Sequence, residues 1–256
     1  MYGRKHSYIF VTTLIGLVAA SKFLEEKPDF ITPCKSANSD FKQCVVKNFQ
    51  AFFVEFKDGV PGLKSVGPVD PFHIKRISLT ENTSSIISIN IGFTKVELRG
   101  LRNTIVDDAD FDQTKLVTKM TLSVPELIMT SDYQMKGRIL ALALDGSGKA
   151  ENKFKNLKFN LICKLKLREE NGFKFTDLDK LRVEVADVGL YQSHWENLFN
   201  GQKDLEDSAN AVFNDNWKEL FTAFRPSFTA TVQKVLEDRF KKIFAYIPAS
   251  YYFGDL

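Results

Sequence analysis

One apolar stripe constrains this chain more than any other feature. From Leu205 to Ile247 a hydrophobic side chain returns every three or four residues, beginning with Leu205, Ala209, Val212 and Phe213 and ending with Phe240, Ile243 and Phe244. That spacing predicts one long amphipathic helix of roughly 60 Å, at 1.5 Å rise per residue. Asp204 is the expected cap, Glu206 and Asp207 sit where the helix dipole favours negative charge, and Pro248 stops the helix after Lys241 and Lys242. Pro226 removes an internal hydrogen bond, so a bend is expected between Thr222 and Pro226. The stripe is wide and rich in aromatics, unlike the narrow aliphatic seam of a coiled coil. The rest of the chain must cover it.

The covering material is β-structure. Between Phe72 and Val188 the hydrophobic period changes to two. Ile87, Ile89, Ile91 and Phe93 share one parity, and Val96 and Leu98 the other, which predicts a β-bulge near Thr94. A strand is expected over Lys115 to Val124, and Ile139 to Leu144 reads as apolar on both faces. Asp145-Gly146-Ser147-Gly148 and Asn171-Gly172 read as turns. Between them Leu157, Phe159, Leu161, Cys163, Leu165 and Leu167 alternate with mostly polar neighbours, and Leu181, Val183 and Val185 repeat the pattern. Such strands are long, antiparallel and wet on one face, so their sheet can curl around the helix. A shorter helix, Phe41 to Phe56, precedes them, and Gly59-Val60-Pro61-Gly62 ends it. No linker rich in Pro, Gly or Ser divides the chain. The reading is therefore an α+β fold in a single domain, residues 21–256.

The amino terminus reads as a secretory signal over residues 1–20. Arg4 and Lys5 precede an apolar core, Tyr8 to Val18, that is too short for a membrane span, and Val18-Ala19-Ala20 offers a cleavage site. The formal net charge of +3 falls by two, to +1, when Arg4 and Lys5 leave. That balance gives no electrostatic case for a nucleic-acid partner. A secreted, extracellular chain without stable membrane insertion is expected, and a monomer. In an oxidising compartment Cys34 and Cys44 can close a short loop, worth roughly 2–3 kcal/mol. Cys163 is left over on the apolar face of its strand, where it reads as a buried thiol; an intermolecular disulfide is the alternative. Asn82-Thr83-Ser84 is a glycosylation sequon.

Catalytic and metal chemistry find little support. The mature chain has two histidines, His73 and His194, and no G-x-S-x-G, C-x-x-C or H-E-x-x-H pattern. Asp107, Asp108, Asp110 and Asp112 are spaced like weak calcium ligands but lack the glycine and glutamate of an EF-hand, so they read as a solvated turn. The lysines near Lys158, Lys164 and Lys166 read as a solvated sheet face. No catalytic residue, metal ligand or cofactor is expected, and the chain is not read as an enzyme.

Four separated segments carry a resemblance. They are Cys34 with Cys44; Asp58 to Leu63 leading to Val69-Asp70-Pro71; Tyr133 to Arg138 with Asp145 to Gly148; and Asn197 to Gly201 leading to Asn210 and Asn214-Asp215-Asn216-Trp217. In that order they resemble the takeout / juvenile-hormone-binding-protein family of secreted arthropod proteins. The resemblance implies a long helix wrapped by a strongly curved antiparallel sheet, with an apolar tunnel for one elongated ligand. It implies a carrier of a juvenile hormone-like terpenoid, a fatty acid or a related lipid, in circadian, feeding or chemosensory physiology. Hormone carriers of the family have a second disulfide, and Cys163 has no partner for one, which places the chain on the takeout-like branch. The alternative is a secreted interaction protein with a filled core that docks to a receptor or membrane surface. A lipid-ester hydrolase would need a nucleophile beside His73 or His194. The expected tunnel residues are Phe49, Phe52 and Phe56 on the first helix; Met120, Phe159, Leu161, Cys163 and Val183 on the sheet; and Phe213, Phe224 and Phe228 on the long helix. Tyr133 and Trp195 are expected to add polar contacts.

Overall fold

Strand length sets the architecture. The computed structural model describes residues 22–82 and 87–256, so the signal segment and Thr83-Ser84 of the sequon lie outside the described residues. Asn82 itself is exposed beyond the first strand. Strand β4 (Val117–Ile139) has 23 residues and β5 (Leu142–Glu170) has 29. At ~3.3 Å per residue these run to roughly 75 and 95 Å, far beyond an ordinary strand, and such ribbons twist and coil. They pair antiparallel from Val117↔Lys164 to Ile139↔Leu142. Around them lie β1 (Phe72–Glu81), β2 (Ile87–Arg99), β3 (Ile105–Asp112), β6 (Phe173–Asp187) and β7 (Leu190–Trp195). The order is β1-β2-β4-β5-β6, with β3 added to β4 and β7 to β5.

Helix α1 (Phe41–Glu55) precedes the sheet, and α2 (Lys203–Asp215) and α3 (Trp217–Tyr246) follow it. Helix α3 packs on β6 and also reaches β1, the opposite edge. A sheet whose two edges meet one helix must curl around that helix. This is the expected α+β fold, a long C-terminal helix wrapped by a curved antiparallel sheet. The bulge predicted near Thr94 lies between Thr94 and Glu97, and Asn171-Gly172 joins β5 to β6. The Cys34–Cys44 disulfide ties the amino-terminal lead to α1.

Several expectations need correction. The apolar stripe forms two helices, broken at Asn216 and not at Pro226. Asn216 ends α2 by donating both its backbone N–H (3.1 Å) and its side-chain amide (2.8 Å) to the Val212 carbonyl. Pro226 stays inside α3 because it and Thr222, whose carbonyl loses a donor, are both exposed to water. Asp204 is not the cap; the helix begins at Lys203, and Asp204 lies within the first turn. Asp145 to Gly148 is not a turn but part of β5, and the hairpin turns at Leu140-Ala141, inside the stretch read as a doubly covered strand. The glycines serve packing: a Cβ on Gly146 would lie 2.7 Å from the Asn197 carbonyl oxygen, and one on Gly148 would meet that of Glu196. Asp107, Asp108 and Asp110 lie in β3 beside buried Val106, Ala109 and Phe111 and not in a turn, whereas Asp112 ends the strand and accepts from the backbone N–H groups of Thr114 and Lys115 in the turn that follows. The strand expected over Lys115 to Val124 starts at Val117 and runs on to Ile139.

Candidate ligand-binding cavity

The curled sheet and α3 do not meet everywhere. Between them lies a cavity of about 310 Å³. Ile74, Ile77 and Leu79 of β1, Met120 and Leu122 of β4, and Phe154, Phe159 and Leu161 of β5 form its sheet side. Phe224, Phe228, Val232, Leu236 and Phe240 of α3 form the other, and Phe49, Phe52 and Phe53 of α1 contribute as well. Period-two burial brings the strand residues inward, and the three-to-four spacing of α3 brings its aromatics to meet them.

Eight of the expected residues stand in this wall: Phe49, Phe52, Met120, Phe159, Leu161, Trp195, Phe224 and Phe228. Five do not. Phe56 packs into a separate cluster with Leu24, Ile31 and Val60, its ring 5.1 Å from Phe30. Val183 lies where α3 closes directly on β6; its N–H donates to Gln233 Oε1 at 3.2 Å. Cys163 faces inward in register with Leu181 but is wholly buried among packed neighbours. Phe213 belongs to α2, not α3, and packs in a cluster with Trp195 and Leu198. Tyr133 donates its hydroxyl to the Glu196 carbonyl at 2.7 Å, and its ring meets Trp195 edge-on at 4.9 Å. Burial, with Glu206 and Glu196 nearby, pushes that hydroxyl well above the usual tyrosine range.

Polar groups in the wall are few and mostly satisfied. Thr104 and Thr231 donate to the carbonyls of Leu101 (2.6 Å) and Ser227 (2.9 Å). Among the described residues, Arg239 is the charged residue of the wall; its Nη1 donates to the carbonyls of Ser65 and Val66, both at 2.9 Å, and its guanidinium lies 4.8 Å from the centre of the Phe72 ring. Asn152 accepts the Tyr191 hydroxyl at 2.7 Å. Both line the cavity, and sequence reasoning missed them. The signal was available: Ala150, Asn152 and Phe154 alternate with Glu151, Lys153 and Lys155, which puts an asparagine on an inward face. Among the described residues, no Asp, Glu, His, Ser or Cys stands in the wall. His73 is exposed and lies 3.8 Å from Glu97, and His194 is exposed on β7. A wall of this composition suits an apolar molecule.

Comparison with known proteins agrees with the geometry. The family described as haemolymph juvenile hormone binding protein (JHBP) matches residues 11–254. The circadian clock-controlled protein daywake of Drosophila melanogaster is 23% identical over 249 residues, covering 93% of this chain and 94% of that protein. Daywake of Drosophila yakuba is 21% identical over 249 residues, with the same coverage. Takeout 1 of Epiphyas postvittana has a similar fold, with a TM-score of 0.72 at 23% identity, covering 86% of this chain and 98% of that one. The chain belongs to the haemolymph juvenile hormone binding protein (JHBP) family.

Proposed function

We propose that this chain is a secreted, monomeric carrier of one elongated hydrophobic small molecule, a juvenile hormone-like terpenoid, a fatty acid or a related lipid. One observation carries the reading: a cavity of about 310 Å³ with an almost wholly apolar wall, held between the sheet and α3. Burying ~400 Å² of ligand surface supplies ~10 kcal/mol at 25 cal/mol/Å². After the costs of association, affinity in the micromolar range or better is expected. The signal segment supports secretion, and the likeness to proteins named circadian clock-controlled supports a clock-linked role. The absence of Ser, Cys, His and carboxylate from the described wall favours carriage over catalysis. A filled-core interaction protein, the other reading of the sequence, has no use for such a space.

The direct test is to denature the secreted protein, extract it with solvent and identify what is released by mass spectrometry. A near-stoichiometric apolar molecule, displaced by native candidates, is the expected result. An empty extract together with no binding of an apolar fluorescent probe would overturn the proposal.

A further inference from the structure

Asn152 is the anomaly of the cavity wall. It is 3% exposed, on the inward face of β5, in register with Met129 of β4 and Ser193 of β7. Its Oδ1 accepts the Tyr191 hydroxyl, but its Nδ2 is buried and has no hydrogen-bond partner among the described residues. A buried donor left unpaired costs ~1–3 kcal/mol, so native structures rarely keep one without a reason. Tyr191 fixes which way the amide points. Its ring stacks on Phe154 at 4.9 Å, which holds the hydroxyl in place. Burial pushes that hydroxyl up to about 12, so it stays protonated and donates at physiological pH. With Oδ1 thus engaged, the open valence of the amide is a donor.

Resting on the carrier reading, we infer that Asn152 is the polar anchor of the cavity and selects a neutral ligand bearing a carbonyl-type acceptor, an ester or ketone oxygen. Its surroundings argue for a neutral group. Phe154, Tyr191, Phe221 and Phe228 form an aromatic cluster, with Phe154 5.4 Å from Phe228 and Tyr191 6.2 Å from Phe221. A carboxylate brought there loses its hydration, and the cation beside the cluster, Arg225, 5.5 Å from the centre of the Phe221 ring, is not among the described residues of the cavity wall and donates to the Val185 carbonyl. The cation of the wall, Arg239, lies eleven residues beyond Phe228 on α3, ~16 Å away along the helix, and already donates to two carbonyls. A bare hydrocarbon leaves the Asn152 donor unpaired. An ester or ketone satisfies it and adds no charge. Inward positions of the β5 wall run from Asn152 to Leu161, ~30 Å along the strand. The acceptor is therefore placed toward the β7 end, with the apolar remainder extending toward Leu161.

Displacement of N-phenyl-1-naphthylamine from the delipidated chain tests this, with a long-chain methyl ketone, alkane, alcohol and fatty acid of matched carbon number. The wild type is expected to bind the ketone about ten-fold tighter than the alkane. The double variant Asn152→Leu, Tyr191→Phe removes both polar partners, so its ketone-to-alkane affinity ratio should fall to about one. A wild type that binds ketone and alkane equally, prefers the fatty acid, or prefers only the alcohol would overturn the proposal. So would a ketone preference that survives in the double variant. If the double variant does not fold, infrared spectra of a ¹³C-carbonyl ketone bound to the wild type decide. A carbonyl stretch lowered relative to the ketone in alkane solvent supports the anchor, and an unshifted one overturns it. Failure of the probe itself to bind would remove the carrier reading as well; probe binding without ketone preference removes the anchor alone.

Discussion

Leu161 and Cys163 lie two residues apart on β5, point to the same face and are both buried, yet their surroundings differ. Leu161 borders the cavity, whereas Cys163 is enclosed by packed side chains. Leu161→Trp should therefore place its added volume in the cavity instead of straining the core. The expected result is loss of apolar-probe binding with little change in thermal midpoint; undiminished binding would contradict the cavity's role. At Cys163 the test is pH. Burial raises its thiol from 9.0 to about 12. In the unfolded chain the thiol ionises near its ordinary value, while in the folded chain it stays neutral. Its contribution to stability is thus full below about pH 9 and is lost as pH rises toward about 12. The wild type should lose stability more steeply across that window than Cys163→Ala, measured as the urea midpoint at each pH. Parallel slopes would mean that the thiol ionises freely in the folded protein.

Between elements, a match of spacings joins α2 to β7. Asn210 and Asn214 are four residues apart on a helix, ~6 Å of rise; Ser193 and Trp195 are two apart on a strand, ~6.6 Å. The coincidence lets two side chains act as an added strand. Asn210 accepts from the Trp195 N–H at 2.9 Å and donates to its carbonyl at 3.0 Å, and Asn214 does the same for Ser193 at 2.8 and 2.9 Å. Asn210→Leu leaves a buried N–H and a buried carbonyl unpaired, a loss of ~2–4 kcal/mol. At 2–4 °C per kcal/mol this lowers the thermal midpoint by roughly 5–15 °C. Asn210→Asp, which keeps the acceptor, should fall less; wild-type stability in the leucine variant would refute the pairing. This corner explains what the sequence made legible. Tyr133, Gly146, Gly148, Asn197, Asn210 and Asn214, all within the segments that carried the family resemblance, meet here and not at the cavity. Strand parity predicted the inward faces and the bulge at Thr94, because both depend on local alternation. It did not predict the helix break at Asn216 or the role of Gly146 and Gly148, because these depend on what lies across the space. For the same reason parity marked Val183 and Leu161 alike, although they are register partners and only Leu161 faces open space; α3 reaches over to Val183 through Gln233.

For the whole molecule, the cavity separates the two bodies that define the fold. Helix α3 is tied to the sheet side at separated points: Ser227 donates to Glu81 at 2.7 Å near one end of β1, and the Arg239 guanidinium lies over Phe72 at the other. Between these ties the apolar faces of β1 and α3 share the cavity wall, so a molecule in the cavity touches both at once. It has no comparable site on the unfolded chain, and its binding free energy therefore adds to folding stability. At a free concentration one hundred times Kd the gain is ~2.7 kcal/mol. At 2–4 °C per kcal/mol for a chain of this size, the thermal midpoint should rise by roughly 5–10 °C. Calorimetry on delipidated and ligand-saturated protein measures the rise directly, and hydrogen exchange should slow together along α3 and β1. The Leu161→Trp variant, its cavity filled, should show neither effect with the same ligand. A rise of equal size in that variant would mean that the ligand stabilises the protein from some other surface, whereas a rise confined to the wild type ties stability to the space between helix and sheet.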